Sequence, residues 1–307
     1  MAVCDIIPEK ADALAGKFNA NAYYSIDDLL KKETDTDVIV VCTPNGLHAE
    51  HSIKSLNSGK HVLCEKPMCL TTAEGRKLVM VAEASRKKIF VVKQNRYNEP
   101  VQHVKKLLVE KKLGKIFSFQ VNCFWNRPQA YYSNTWKGTK NLDGGTLYTQ
   151  FSHFIDILYW LLGEVDFVKG YKHAYGNRSH FEIEDAGVAI LKMTSGAIGT
   201  LNYTINSYSK NLEGSFLIFG ENGSIKIGGQ YLNMLEWYDV MGESRPVLSQ
   251  SYSPNNYGFY EGSMSNHHKV YDDLIFSLQG NGSLLEARDA IATIEIIEKI
   301  YAATEEF

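Results

Sequence analysis

The sequence predicts an α/β protein in two parts. The first is a Rossmann-type doubly wound parallel sheet, truncated at its N-terminal start; the second is a C-terminal α+β body on a mainly antiparallel open sheet. Three observations carry this reading. Apolar runs at residues 37–42 (DVIVVC), 61–64 (HVLC) and 88–93 (KIFVVK) lack polar alternation, as strands buried on both faces require, and helix-period segments separate them. From residue 117 the period becomes two: Phe117, Phe119, Val121, Cys123 and Trp125 alternate with Ser118, Gln120 and Asn122, which marks a strand with one wet face. Between the halves, residues 59–70 (GKHVLCEKPMCL) deliver Glu65 and Lys66 to the carboxyl end of a buried strand, the edge at which open α/β sheets bind ligands. The alternative for that pair is a solvated strand cap.

In chain order, residues 2–5 read as the end of a strand, followed by a helix from Pro8 to Phe18. An acidic residue after the second strand of a dinucleotide-binding unit takes ribose hydroxyls, and Asp5 fits that place; a helix cap before Pro8 fits it too. No GxGxxG occurs near this terminus, so an upstream segment of roughly 30 residues with a strand, a glycine-rich turn and a helix is expected. Asp27 and Asp28 open the next helix, where acids complement the dipole. The strand at 37–42 runs into Thr43-Pro44-Asn45, at the same edge as Lys66, and Ala49, Ile53 and Leu56 then recur at helical spacing. Thr71 and Glu74 form a capping box for the following helix, and the strand at 88–93 ends in Gln94-Asn95-Arg96.

Beyond Arg96, Val101, Val104 and Leu108 mark a helix stopped by Gly114. Further strands are expected over 165–175, 185–193, 197–205 and 215–227, with turns at Ser195-Gly196 and at Asn222-Gly223, the latter a type I′ signal. A helix is expected from Asp143-Gly144-Gly145 to Gly163, with Thr149, His153, Asp156 and Trp160 on one face and Asp156 placed to orient the imidazole of His153. A histidine on so apolar a helix also reads as a satisfied core residue. Ala287, Ala290, Ile291, Ile294, Ile297 and Tyr301 make a closing amphipathic helix.

Composition excludes several classes of function. With 32 basic and 35 acidic residues interspersed over 307, there is no electrostatic footprint for nucleic acid and no basic amphipathic segment for a membrane surface. Cys4, Cys42, Cys64, Cys69 and Cys123 lack paired metal spacing and fit a reduced, cytoplasmic protein; no His, Cys and carboxylate cluster suggests a metal. Arg127 and Lys137 lie in a segment rich in aromatics, beside Tyr131, Tyr132 and Trp136; cations for a carboxylate or diphosphate and aromatic faces for a ring suit an anionic sugar nucleotide, while an exposed polar loop is the bland alternative.

Thr43-Pro44-Asn45 with His48, Glu65-Lys66-Pro67, and Gly144-Gly145 leading to His153 and Asp156 together resemble the Gfo/Idh/MocA family across nearly the whole chain. Residues 126–132 (NRPQAYY), 136–139 (WKGT) and 265–268 (SNHH) resemble its branch of UDP-N-acetylglucosaminuronate 3-dehydrogenases. The resemblance implies an NAD-dependent oxidoreductase of surface-polysaccharide synthesis that oxidises the 3-hydroxyl of a UDP-N-acetylamino sugar. It divides the chain into an NAD-binding domain, 1–97, and a substrate and oligomerisation domain, 98–307, which pairs copies into a homodimer or homotetramer through its sheet. It implies Lys66, His153 and Thr149 as catalytic, Asp5, Thr43, Pro44, Asn45, His48, Glu65 and Lys66 as cofactor-binding, and Asn95, Arg96, Asn126, Arg127, Tyr131, Tyr132 and Lys137 as substrate-binding. Oxidising an alcohol needs a proton acceptor; His153 serves without any pKa shift and Lys66 serves if burial lowers its pKa, so His153 is the expected base with Lys66 holding and polarising the same hydroxyl, and the opposite assignment is the close alternative. Thr149 and Phe151 depart from the broader family, which often has Asp and Gly there. An inositol or other free-sugar dehydrogenase, and a non-catalytic sugar-nucleotide-binding homologue, are the alternatives.

Overall fold

The computed structural model describes residues 1–133, 135–176, 181–248, 253–258, 260–281 and 287–306. The first part alternates strand and helix: β1 (Ala2–Cys4), α1 (Pro8–Phe18), β2 (Asn21–Tyr23), α2 (Ile26–Lys32), β3 (Val38–Val41), α3 (His48–Asn57), β4 (His61–Cys64), α4 (Thr72–Ser85) and β5 (Ile89–Val91). Local chemistry starts the helices. Pro8 stands in the first turn of α1, the Ser25 hydroxyl accepts from Asp27 N at α2, and both bonds of the Thr71–Glu74 capping box form at α4.

The parallel ladder runs β3–β4–β5, with Val41 opposite Cys64 and Cys64 opposite Val91, so the loops after all three strands open on one edge. β1 and β2 form a separate parallel pair. The sheet expected as one is therefore two pieces, because no ladder joins β1 to β3 among the described residues.

The second part comprises α5 (Glu99–Val109), β6 (Ile116–Phe124), α6 (Gln129–Tyr132), α7 (Thr146–Thr149), α8 (Ser152–Leu162), β7 (Val165–His173), β8 (Ala186–Met193), β9 (Ile198–Thr204), β10 (Glu213–Gly220), β11 (Gly223–Gly228), β12 (Met234–Val240), β13 (Pro254–Asn256), β14 (Glu261–Met264), α9 (His267–Leu278), α10 (Ala287–Ala303) and β15 (Thr304–Glu306). Eight strands form one sheet in the order β12-β11-β10-β6-β9-β8-β7-β15, antiparallel except for the β6–β9 and β7–β15 pairs. Its inner face carries Phe119, Val121, Leu201, Tyr203, Phe216 and Ile218 into a core shared with Phe154, Leu158, Ile294 and Ile297 of α8 and α10. None of the described helices is long and apolar enough to cross a membrane.

Two local expectations fail for reasons visible in the packing. The β10–β11 loop is Glu221-Asn222 between the paired Gly220 and Gly223, and neither loop residue has a positive φ, so it is no type I′ turn. Gly223 serves close approach instead: a Cβ there would meet the Asp239 carbonyl oxygen at 2.6 Å. The helix expected from Asp143 to Gly163 is two helices, α7 and α8, separated at Gln150 and Phe151. Gln150 is held from the side, accepting from Arg127 Nε at 2.6 Å and donating to Tyr131 Oη at 2.9 Å. Thr149 and His153 therefore do not share a continuous helical face, and the Thr149 carbonyl is free to accept from outside the helix.

Candidate active site

Lys66 follows β4 and sits half-buried where both parts meet, and its Nζ donates to the Thr149 carbonyl at 2.7 Å. Burial lowers its pKa to about 8, with Arg127 and Lys93 pushing the same way and Glu65 and Asp143 opposing. The Glu65 carboxylate faces His267 at the start of α9, 3.4 Å away. Burial would raise the Glu65 pKa, but the His267 bond and the charges of His267 and Lys66 outweigh it and hold the group ionised.

The Thr43-Pro44-Asn45 loop after β3 is sewn to the segment before α7. Asn45 Nδ2 donates to the Asp143 carbonyl at 2.8 Å and to Thr149 Oγ1 at 2.7 Å. Gly46 N donates to the Leu142 carbonyl at 3.0 Å, and any side chain at Gly46 would strike the Asn141 carbonyl. The buried ring of His48 spans the carbonyls of Thr43 (2.7 Å) and Pro67 (2.6 Å), bracing the β3 and β4 edge loops against each other. Thus Asn45 and His48, expected to bind cofactor, are engaged in fixing the edge. Asp5 follows β1 and accepts from Ile7 N at 2.8 Å, forming the turn into α1.

His153, in the first turn of α8, is buried, and Gln94 Nε2 lies 3.2 Å from its Nε2; the same Gln94 nitrogen donates to Ser263 Oγ at 3.0 Å. Burial pushes the imidazole pKa well below its ordinary value, and the charges of Lys66, Lys93 and His267 push it further. The expectation that His153 is poised without a shift is therefore corrected: it stays neutral near pH 7, and its imidazolium is costly. Asp156 does not orient it. The Asp156 carboxylate takes a bidentate pair of bonds from Arg96, 2.8 Å each, and an ion pair from Lys93 at 3.2 Å. Arg96, stacked on Trp160 at 5.1 Å, is thus committed to joining the β5 edge to α8. Asn95 lies buried beside it, and among the described residues neither polar atom of its amide, nor Gln94 Oε1, has a hydrogen-bond partner.

The segment after β6 builds a cationic aromatic wall. Arg127, 2 % exposed, donates to Gln150, to the Asn126 carbonyl (2.6 Å) and to Asn211 Oδ1 (3.2 Å), and its guanidinium lies against Trp125, Tyr131 and Tyr260 at 4.9–5.5 Å. Lys137 is more accessible, its Nζ 3.7 Å from the Tyr131 ring centroid and 5.6 Å from that of Tyr260. Burial lowers the Lys137 pKa to about 8, Arg127 lowers it further, and Asp143 opposes. Tyr132 packs edge-on against Tyr131 and Phe181, and the Asn126 amide donates to the Ser207 carbonyl at 2.6 Å.

The structure links these candidates through Lys66, which bonds the Thr149 carbonyl and acts on His153, and through Arg127, which acts on both Lys66 and Lys137, with Asn45, His48 and Asn126 as supports. Sequence reasoning missed Gln94, Gln150, Asp143 and Tyr260. Gln94 and Gln150 each had a signal in standing directly beside a candidate, whereas Tyr260 comes from a distant strand pair, β13–β14, that no local pattern announced.

Residues 1–93 match the family model described as oxidoreductase family, NAD-binding Rossmann fold, and residues 101–226 match the GFO/IDH/MocA C-terminal domain. A solved WlbA dehydrogenase from Bordetella pertussis, in complex with NADH and UDP-GlcNAcA, is 34 % identical with a TM-score of 0.87, covering 98 % of this chain and 86 % of that one. Levoglucosan dehydrogenase from Pseudarthrobacter phenanthrenivorans is 26 % identical over 73 % of this chain and 63 % of its own length. Glucose-6-phosphate 3-dehydrogenase from Bacillus subtilis is 29 % identical over 61 % of this chain and 53 % of its own length. The matches thus span about half to two thirds of these curated relatives. With both family models in tandem and the WlbA likeness extending over nearly every residue, the chain belongs to the Gfo/Idh/MocA oxidoreductase family.

Proposed function

We propose that the chain is an NAD-dependent dehydrogenase that oxidises the 3-hydroxyl of UDP-N-acetylglucosaminuronic acid. The observation that carries this is the partly accessible Lys137 ammonium on its aromatic wall, which has Arg127 and Asp143 as charged neighbours in common with Lys66. A cation without a carboxylate in ion-pair contact among the described residues suits an anionic sugar nucleotide better than a neutral polyol. The 34 % identity to a protein solved with UDP-GlcNAcA supports the same reading.

The residues at the carboxyl edge fit the nicotinamide end of NAD. The unpartnered amide atoms of Asn95 and Gln94 call for a ligand with both donors and acceptors, which a carboxamide has, and Thr43, Pro44, Glu65 and Lys66 line the same edge. NAD, when bound, supplies the hydride acceptor. The chain's own part is proton handling. Lys66, anchored by the Thr149 carbonyl, takes the hydroxyl proton on its amine as the carbon–hydrogen bond breaks, and neutral His153 holds the same oxygen by a hydrogen bond. Lys66 is the better acceptor of the two, because a pKa near 8 lets the product ammonium persist where an imidazolium does not. Arg127 shapes the pocket and Lys137 meets the substrate's negative charge. Five free cysteines support a reducing, cytoplasmic setting.

The test is parallel incubation of the protein and NAD with UDP-N-acetylglucosaminuronic acid, UDP-N-acetylglucosamine, glucose 6-phosphate and myo-inositol, with keto products followed by mass spectrometry and 2-oxoglutarate present to reoxidise retained NADH. Oxidation of the uronic acid sugar nucleotide is expected. Product from myo-inositol or glucose 6-phosphate alone overturns the assignment.

A further inference from the structure

We propose that Asp143 is the positioning residue that couples the substrate's anionic end to the hydride-transfer site, by fixing the Lys137 turn and the Thr149 hinge to one carboxylate. The proposal rests on the functional reading above. Asp143 is completely buried, on the segment before α7. Its Oδ2 accepts from Gly138 N at 2.7 Å, directly after Lys137, and its Oδ1 accepts from the Thr149 hydroxyl and from Gly145 N at 3.4 Å. The Thr149 carbonyl in turn accepts from Lys66. A single side chain therefore stands between the ammonium that meets the substrate's charge and the amine that takes its proton.

The environment of that carboxylate argues against mere filling. No cation lies within ion-pair distance of it among the described residues, so a buried acid is kept where burial alone disfavours its charge. Three donors converge on it, and the Lys137 turn has little play: Gly138 has φ +84°, and a Cβ there would meet Phe181 and Tyr132 at 3.0 and 3.1 Å. Its main chain is fixed as well, with Asp143 N donating to the Thr139 carbonyl at 3.0 Å and the Asp143 carbonyl accepting from Asn45. Its negative charge acts on both lysines, opposing the downward displacement of each.

The experiment compares wild type, Asp143→Asn, Lys137→Met and the double variant. Asp143→Asn keeps the shape and removes the charge. It is expected to raise KM for the anionic sugar and lower kcat, each about 10-fold, the scale of one lost charge-assisted hydrogen bond. Lys137→Met should raise KM alone. The double variant should show no higher KM than Lys137→Met while keeping the kcat loss, since Asp143 reaches the substrate only through Lys137. The pH midpoint of kcat should also move down in Asp143→Asn. Of the groups facing Lys66, Glu65, Arg127, Lys93 and His153 remain and only the carboxylate has gone. Multiplicative KM effects, or a kcat loss with an unmoved pH midpoint, would mark Asp143 as merely structural and overturn the proposal.

If Asp143→Asn does not fold, Thr149→Val removes the hydroxyl half of the link, and a kcat loss with KM unchanged is expected. If wild type oxidises none of the four sugars, the functional reading fails separately. The coupling is then read in lysine-labelled protein by nitrogen NMR, where the titration midpoints of Lys66 and Lys137 must both fall in Asp143→Asn; movement of neither overturns it.

Discussion

Burial acts on Lys66 and His153 in the same direction and gives them different work. Each loses affinity for a proton, but Lys66 falls to about 8, within reach of a working base, while His153 falls out of the range in which it holds one. Lys66→Met and His153→Asn should each slow hydride transfer by about 100-fold or more with little change in cofactor affinity, measured as single-turnover NADH absorbance. Turnover near the parent rate in either would show that side chain to be structural. The sign of the pH dependence follows from the base being the free amine: the rate should climb with pH and level off above about 8, following Lys66. A plateau already reached at pH 6 would return the role of base to His153. Glu184 titrates the fold itself. Burial raises its pKa to about 7, while Tyr301 Oη donates to it at 2.6 Å and Thr146 N at 3.1 Å. A raised acid contributes stability that is complete below its unfolded pKa and is lost as pH rises through the folded one. Denaturation midpoints of wild type relative to Glu184→Gln should therefore decline between pH 5 and about 8; a constant difference would contradict the shift.

At the scale of elements, the break between α7 and α8 matters most, because an unbroken helix would spend the Thr149 carbonyl on its own backbone instead of on Lys66. The entry to α7 is built for one residue type. Gly145 has φ +137°, and a Cβ there would lie 2.3 Å from Tyr301 Oη of α10, the group that also accepts from Leu147 N. Gly145→Ala should cost about 1–3 kcal/mol in urea unfolding, the scale of a strained backbone position, and should also lower kcat by displacing Thr149. Parent-like stability would mean that Tyr301 yields freely. The capping box of α4 is a milder case, with the Glu74 carboxylate accepting from Leu70 N and Thr71 N.

The molecule as a whole leaves one face of its large sheet open. Phe167, Val188, Ile190, Ile198 and Trp237 point outward from β7, β8, β9 and β12, each between 41 % and 58 % exposed, and the register sets Lys192 between Phe167 and Ile198 and Lys169 opposite Ile190, so apolar side chains alternate with lysines across this face. We propose that a second copy of the chain packs on this open face of mixed apolar and cationic side chains. Ile190→Lys with Ile198→Glu should convert the assembly to monomers in sedimentation velocity while the circular dichroism spectrum stays unchanged. An unaltered sedimentation coefficient would remove this face from consideration.

What the sequence determined by itself is everything set by local period and local chemistry: the parallel strands leading to Thr43, Lys66 and Gln94, although β3 leaves Val40 41 % exposed against the expectation of burial on both faces, the capping box at Thr71, the wet-faced strands from Phe117 onward, and the family motifs. Lys66 was legible because a short buried strand, His61–Cys64, fixes where the two residues after it emerge, and that geometry is short-ranged. The partners of the site were not legible, because they are chosen across long separations in sequence. Asp156 is one helical turn from His153 yet pairs with Arg96 and Lys93, since the buried Lys93 and the partly buried Arg96 from the β5 edge are neutralised by the acid that meets them. Arg127 reads as a free substrate ligand until Gln150, Asn126 and Asn211 are seen to take its donors. The division of the helix over 143–163 is accompanied by the lateral hold of Arg127 and Tyr131 on Gln150 and of Asn45 and Asp143 on the Thr149 hydroxyl, which leaves the Thr149 carbonyl to Lys66. Periodicity reports which face a residue presents to a core; which donor meets which acceptor within that core is decided by the packing of distant segments.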